Sequence, residues 1–282
     1  MSDIVYKNFS FSTPFSGGFR ALKIPVLDAD GNSVWPEVFS AERIISMRET
    51  VGHRHFSAQM MLEFVPPDRI RLDPGGLKIY ESMFDMHTAR ISGHLITGAA
   101  MYWDPSSGRR KSDDSVCVLV YRDDKNRNVF IHDILYMHTD DSDTHPLSHQ
   151  CDMVLDFMHQ HSIRRIIIET NGIGNALPEI MRDAATNRGA NIYVQKIVNT
   201  RNKSDRILDA IEPLLTSGHL FAHTRLSSTP LFSEMLGWSP MGGVGHDDGL
   251  DAVAGAIACA PITVRPMGAA NRIYSANTNF KI

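Results

Sequence analysis

Leu95–Trp103 (LITGAAMYW) is a mostly apolar run that ends on Asp104, and later Arg165–Glu169 (RIIIE) is a short apolar run that again ends on an acid. What lies between them decides the fold. Val116–Tyr121 (VCVLVY) is a wholly apolar run, the mark of a strand buried on both faces. Val129–Tyr136 is a third, β-rich run. The polar link Asp123-Asp124-Lys125-Asn126-Arg127-Asn128 joins it to the second and is short enough for a hairpin. Leu147, Cys151, Val154, Leu155 and Met158 then share one face of a 3.6-residue period, which predicts a helix. After the Arg165–Glu169 strand, a helix is predicted over Leu177–Asn187, stopped by Gly189. A strand follows over Ile192–Ile197. A helix from about Lys203 carries Ile207, Leu208, Ile211, Leu214 and Leu215, with Pro213 expected to kink or shorten it. A last helix starts near Asp248 and carries Val253, Ala254 and Ile257.

Three strands joined by tight links make an antiparallel meander. The later strands need helical crossovers, which makes them parallel to the first. The expected fold is therefore α/β: a mixed sheet with helices on both faces. Residues 1–92 read differently. Thr13-Pro14, Gly17-Gly18, Pro66-Pro67 and Pro74-Gly75-Gly76 break the chain repeatedly. Ser40 is a plausible N-cap for a helix carrying Ile44, Ile45 and Val51 and ending at Gly52, and Phe56–Phe64 reads as a second short helix. So irregular and mainly helical a segment is expected to pack on something else. The division is then 1–92, 93–265 and a tail, 266–282.

Composition narrows the class. The 282 residues carry 28 Lys plus Arg and 32 Asp plus Glu, a net charge of −4, with 43% hydrophobic residues. That excludes a disordered chain and a polybasic nucleic-acid coat. No apolar run approaches the ~20 residues of a membrane span. The N-terminus lacks a signal pattern. Cys117, Cys151 and Cys259 are too few and too far apart for a disulfide framework or a zinc knuckle, so a reducing, cytoplasmic setting is expected. No His-Glu-x-x-His and no Gly-x-Ser-x-Gly motif occurs.

Acids stand where α/β sheets build sites. If the first and fourth strands are adjacent and parallel, Asp104 and Glu169 share the edge at the strand C-termini. Asp247, Asp248 and Asp251 open the last helix after the glycine-rich loop Gly242-Gly243-Val244-Gly245. Asp248 and Asp251, three apart, share a helix face, and Asp247 and Asp251, four apart, can share one too. Turn chemistry and helix capping explain such acids one at a time. Clustered together they repel one another unless a cation lies between them, and Mg²⁺ or Mn²⁺ suits oxygen ligands. Two ions ~3.5–4 Å apart would clamp the attacking and leaving oxygens of a phosphodiester.

Three blocks then resemble a known family: Met101-Tyr102-Trp103-Asp104, Ile167-Ile168-Glu169-Thr170-Asn171-Gly172 and His246-Asp247-Asp248-Gly249-Leu250-Asp251-Ala252. Their order and spacing are similar to the nuclease domain of the large terminase subunit of tailed bacteriophages, which has the RNase H-like fold. Upstream, Lys23-Ile24-Pro25, Asp30-Gly31, Trp35-Pro36-Glu37 and Phe39-Ser40 resemble the segment that joins the motor ATPase to the nuclease. The resemblance implies Asp104 and Glu169 as metal ligands, Asp251 as the main ligand of the last helix, Asp248 as its helper and Asp247 as the fallback. It implies a two-metal endonuclease cutting concatemeric double-stranded DNA when packaging starts and ends. It also implies a packaging ATPase, a small terminase subunit and a portal as partners, in the cytoplasm of an infected bacterium. One departure is clear. No Gly-Lys dipeptide occurs, so no phosphate loop of the motor ATPase lies in this sequence.

With a net charge of −4, DNA contact has to be local. Arg109, Arg110 and Lys111 follow Asp104, and Lys196, Arg201, Lys203 and Arg206 flank a helix start whose amides can hold phosphate. Solvated surface loops are the plain alternative for both clusters. His246, beside the acids, is a candidate to orient a ligand or touch phosphate. Two other readings stay open: a resolvase or hybrid nuclease of the same fold, and a non-catalytic docking module of the motor.

Overall fold

The computed structural model describes residues 11–12, 21–63, 72–106, 114–138, 143–171, 175–240 and 246–267. Its centre is an eight-stranded mixed sheet. In chain order the strands are β1 (Lys78–Tyr80), β2 (Gly98–Asp104), β3 (Ser115–Asp123), β4 (Asn128–Met137), β5 (Arg165–Glu169), β6 (Tyr193–Ile197), β7 (Leu220–His223) and β8 (Ile262–Thr263). In space they run β6-β5-β2-β3-β4-β7-β1, with β8 pairing the start of β2. β2, β3 and β4 form the expected antiparallel meander. β5 lies parallel to β2, and β6 parallel to β5. β7 and β1 extend the other side, each parallel to its neighbour.

Alternation along the central strands splits the core into two layers. Ala99, Met101, Trp103, Ile166 and Ile168 face helices α2 (Pro146–Gln160) and α3 (Leu177–Asn187). Ala100, Tyr102 and Ile167 face α4 (Lys203–Thr216), α5 (Leu231–Gly237) and α6 (Asp248–Ala258). Tyr102 and Trp103 are both fully buried, on opposite faces, as a strand covered on both sides requires. The Trp103 indole N–H donates to the Ser115 hydroxyl at 2.9 Å. Ser115 in turn donates to Gln150 Oε1 at 2.9 Å, which pins the end of β2 to α2. The link between β3 and β4 turns over residues 124–127, with Arg127 left-handed at φ 57°.

Several expectations change. The Ala41–Gln59 segment is one helix, α1, capped by Ser40, whose hydroxyl accepts the Arg43 amide at 3.3 Å. Gly52 lies within it rather than ending it. The helix interior tolerates glycine at ~1 kcal/mol, and Ile44 and Phe56, on either side of it, are buried in one cluster with Val26. Pro213 does not end α4, which continues to Thr216. The side chains of Thr216 and Ser217 donate to the Glu212 and Pro213 carbonyls at 2.8 and 2.7 Å. The run from Leu95 also divides. His94–Leu95 pairs with Arg90–Ile91 as a small separate hairpin, and the sheet strand begins at Gly98. β1 and β7 were not anticipated, being only three and four residues long. The N-terminal segment does pack on the rest: α1 lies against α4, and β1 adds the outermost strand of the sheet. Among the described residues, no helix is long and apolar enough to cross a membrane.

Candidate active site

β2 and β5 are parallel neighbours in the register Tyr102↔Ile167 and Trp103↔Ile168, so their last residues, Asp104 and Glu169, emerge side by side. Each lies two residues beyond a side chain on the α6 face, and period-two alternation puts both carboxylates on that face. Helix α6 crosses above them. Its first turn supplies Asp248 and Asp251, both 4% exposed and both where a helix dipole favours negative charge. The close approach depends on Gly255: a Cβ there would collide with the Tyr102 ring. The four expected acids thus come from two strand ends and the first turn of one helix.

Neighbouring side chains fix Glu169. Its Oε2 accepts from the Tyr102 hydroxyl and from Asn199 Nδ2 at 2.8 Å, and its Oε1 accepts from Asn171 Nδ2 at 2.8 Å. Arg206 bridges two acids, with Nη1 3.1 Å from Glu169 Oε2 and Nη2 2.6 Å from Asp251 Oδ2. Lys203 Nζ lies 2.6 Å from Asp247, 3.1 Å from Asp248 and 3.9 Å from Asp251. Asp248 Oδ2 also accepts the Asp114 amide at 2.8 Å. Asp251 Oδ1 is buried and has no hydrogen-bond partner among the described residues.

The electrostatics follow from this crowding. Burial, then Asp251 and Glu169, push the Asp104 carboxyl up to about 8. Burial pushes Asp251 up to about 6, against the pull of Arg206 and Lys203. Burial works against the Lys203 ammonium, but its hydrogen bond to Asp247 and the surrounding carboxylates outweigh that and hold its pKa above the usual lysine value. Burial likewise opposes Arg206, while Asp251 and Glu169 hold its pKa up.

The donor chemistry, hard carboxylate oxygens with one buried oxygen unpartnered, fits a hard divalent cation. Among the described residues, however, no three His, Cys, Asp or Glu side chains are gathered as a metal-holding group. Arg206 and Lys203 stand among the acids and offset part of their charge.

The residues expected at DNA fall in several places. Lys203 and Arg206 belong to the carboxylate cluster. Lys196 is exposed at the end of β6. Arg201 is exposed and pairs with Asp209. Two amides at the start of α4 are already taken by Asn202 Oδ1, from Ser204 at 2.9 Å and from Asp205 at 3.3 Å. Arg109, Arg110, Lys111, the loop Gly242–Gly245 and most of the tail lie outside the described residues. His246 is mostly exposed, with Nδ1 3.7 Å from Asp248. Asp247 is one-third exposed and held by Lys203. Sequence reasoning missed Tyr102, Asn171 and Asn199 as supports of Glu169. Tyr102 was legible in principle, two residues before Asp104 and so on the same face. Asn199 reaches Glu169 only through the β5–β6 pairing.

Residues 104–220 match the family model described as the bacteriophage T7 terminase, ribonuclease H-like domain. Over that stretch the chain is similar to a terminase-type ribonuclease H-like domain. The matched stretch of this domain includes Asp104, Glu169, Lys203 and Arg206, whereas Asp248 and Asp251 lie beyond it. Solved structures similar to the chain include the nuclease domain of the P22 large terminase, at 13% identity and TM-score 0.47, covering 66% of this chain and 90% of that one. The human cytomegalovirus terminase nuclease domain is similar at 14% identity and TM-score 0.43, covering 67% and 89%. The nuclease domain of the bacteriophage SPP1 large terminase, solved with bound Mn, is similar at 16% identity and TM-score 0.41, covering 64% and 94%. No curated protein sequence matches the chain.

Proposed function

We propose that this chain is a divalent-metal-dependent endonuclease that cuts double-stranded DNA during viral genome packaging. The observation that carries the reading is the convergence of Asp104, Glu169, Asp248 and Asp251 within a stretch similar to a terminase domain, with one buried oxygen of Asp251 left without a partner among the described residues. Isolated buried carboxylates are costly, and four together are sustained only by cations.

In this reading Asp104, Glu169, Asp248 and Asp251 hold two ions, Mg²⁺ or Mn²⁺. Bound ions supply Lewis-acid charge and an activated water at a phosphodiester. Tyr102, Asn171 and Asn199 orient Glu169. Arg206 and Lys203 offset part of the cluster's negative charge before metal arrives. Lys196, Arg201 and the segment Arg109-Arg110-Lys111 contact DNA backbone phosphates. So few cations bind weakly and with strong salt dependence, which suits an enzyme held on its substrate by a motor. The proposed partners are that packaging ATPase, a small terminase subunit and a portal, in the cytoplasm of the infected host.

The test is cleavage of supercoiled plasmid with Mn²⁺, set against EDTA and against Asp104→Asn. Nicking or linearisation that needs both the metal and Asp104 is expected. An active Asp104→Asn enzyme would sink the site assignment. Cleavage confined to four-way junctions or RNA–DNA hybrids would move the chain to the resolvase reading. No cleavage, with a melting temperature unmoved by Mn²⁺, would leave a docking module.

A further inference from the structure

Helix α6 carries two of the four proposed ligands in its first turn, yet that turn is not capped by its own side chains. Asp247, the residue before it, makes no side-chain hydrogen bond to the helix and pairs with Lys203 instead. The Asp251 amide donates to the Asp247 carbonyl at 3.0 Å. The Leu250 amide is satisfied from outside the helix: it donates to Glu234 Oε2, from α5, at 3.0 Å. The Tyr136 hydroxyl, from β4, donates to Glu234 Oε1, also at 3.0 Å. Glu234 is 6% exposed. Gly249 lets this pair come so close. A Cβ there would collide with the Tyr136 hydroxyl and with Glu234 Oε2.

Leu250 stands between Asp248 and Asp251, so a contact that fixes its peptide fixes the backbone under both carboxylates. Arg206 and Lys203 act differently. They grip the carboxylate oxygens themselves, and an entering cation has to displace them. Glu234 grips the backbone of the turn and leaves those oxygens alone. Asp251 Oδ1, buried and without a partner among the described residues, is the oxygen such a grip keeps available. Burial pushes the Glu234 carboxyl up to about 7. Its charge therefore weakens the fold as pH rises through that value. What the side chain contributes is its acceptor oxygens.

We propose that Glu234 is a positioning residue of the nuclease centre: with Tyr136 it clamps the first turn of α6 so that Asp248 and Asp251 are held ready for a divalent cation. The inference rests on the metal-nuclease reading of that centre.

The test is titration calorimetry of Mn²⁺ into the full chain without DNA, with thermal melting in EDTA beside it. Glu234→Gln and Glu234→Leu both remove the charge. Gln keeps an oxygen for the Leu250 amide, and the Tyr136 hydroxyl can turn to accept from its NH₂ group. Leu has a similar volume and no acceptor. Loss of the hydrogen bonds that orient metal ligands typically weakens affinity ~10–100-fold. Glu234→Leu should therefore bind Mn²⁺ at least ~10-fold more weakly, while Glu234→Gln stays within ~3-fold of the wild type. In EDTA both should melt within about 3 °C of the wild type or above it, because a buried charge has been removed. Tyr136→Phe keeps the ring, frees one oxygen of Glu234, and should weaken Mn²⁺ by ~3-fold or more. It carries the test if the Leu variant does not fold.

A wild type that binds no Mn²⁺ would end the metal-nuclease reading and this inference with it. The other adverse results would overturn the inference alone. A Leu or Phe variant that binds Mn²⁺ like the wild type would remove the clamp. A Gln variant as weak as Leu would assign the effect to charge. Weaker Mn²⁺ binding that comes only with a matching fall in melting temperature in EDTA would make Glu234 a structural cap.

Discussion

Replacing Asp104 by Asn should stabilise the metal-free protein while abolishing its proposed activity. In the folded state the Asp104 carboxyl is pushed from 3.8 up to about 8. Burial is the first cause, and the charges of Asp251 and Glu169 add to it. One unit is worth ~1.4 kcal/mol, so a shift of about four units sets a ceiling of ~6 kcal/mol once pH exceeds 8. Water entry and screening by nearby ions lower that to an expected ~2–3 kcal/mol. For an acid whose folded pKa is raised, the stability is whole below the unfolded value of 3.8 and is lost as pH rises through about 8. The neutral amide escapes this loss. Thermal melting in EDTA from pH 4 to 9 is the assay. Wild type and variant should coincide near pH 4 and diverge steadily. By pH 8 to 9 the variant should melt ~5–10 °C higher. Mn²⁺ should then raise the wild type and leave the variant nearly unmoved. A variant that melts at or below the wild type at pH 8 in EDTA would refute the claim that the carboxylates strain one another.

Arg206→Gln removes the bridge between Glu169 and Asp251. It should cost ~3–5 kcal/mol in EDTA, part of it recovered by Mn²⁺, as read by denaturant unfolding with and without metal. Gly255→Ala drives a Cβ into the Tyr102 ring and should destabilise by ~1–3 kcal/mol, with a lower melting temperature and weakened Mn²⁺ stabilisation. His132 is buried beside His161, His223 and the Tyr80 hydroxyl, and burial first, then the neighbouring His161, His223 and Arg225, lowers its pKa to about 3. A base held neutral in the fold gives stability that is whole above 6.5 and lost as pH falls toward 3. Unfolding free energy should therefore drop by up to ~4 kcal/mol across that window. His132→Gln should flatten the slope, and an unchanged slope would exclude His132 as its source.

The meander, the parallel crossovers and the two layers of helices were legible because they rest on local periodicity. Val116–Tyr121 has to be a doubly buried strand, and Leu177–Asn187 a helix stopped by Gly189, whatever surrounds them. The strand-terminal acids were legible for the same reason: when an apolar run ends on Asp104 or Glu169, the strand order gives the edge. Local pattern failed where packing overrode it. Gly52 and Pro213 are poor helix residues by propensity, yet α1 and α4 run through them. β1 and β7 carry too few residues to announce themselves, and only pairing to β4 and to each other makes them strands.

The roles of the cations were decided by tertiary structure alone. Sequence places Lys203 and Arg206 at the start of a helix, where they read as phosphate contacts. In the fold α4 lies beside α6, and those two side chains become the counter-ions of Asp247, Asp248, Asp251 and Glu169. Sequence fixes the sign and order of charges along the chain. Which opposite charges meet depends on helix packing, which no local spacing encodes.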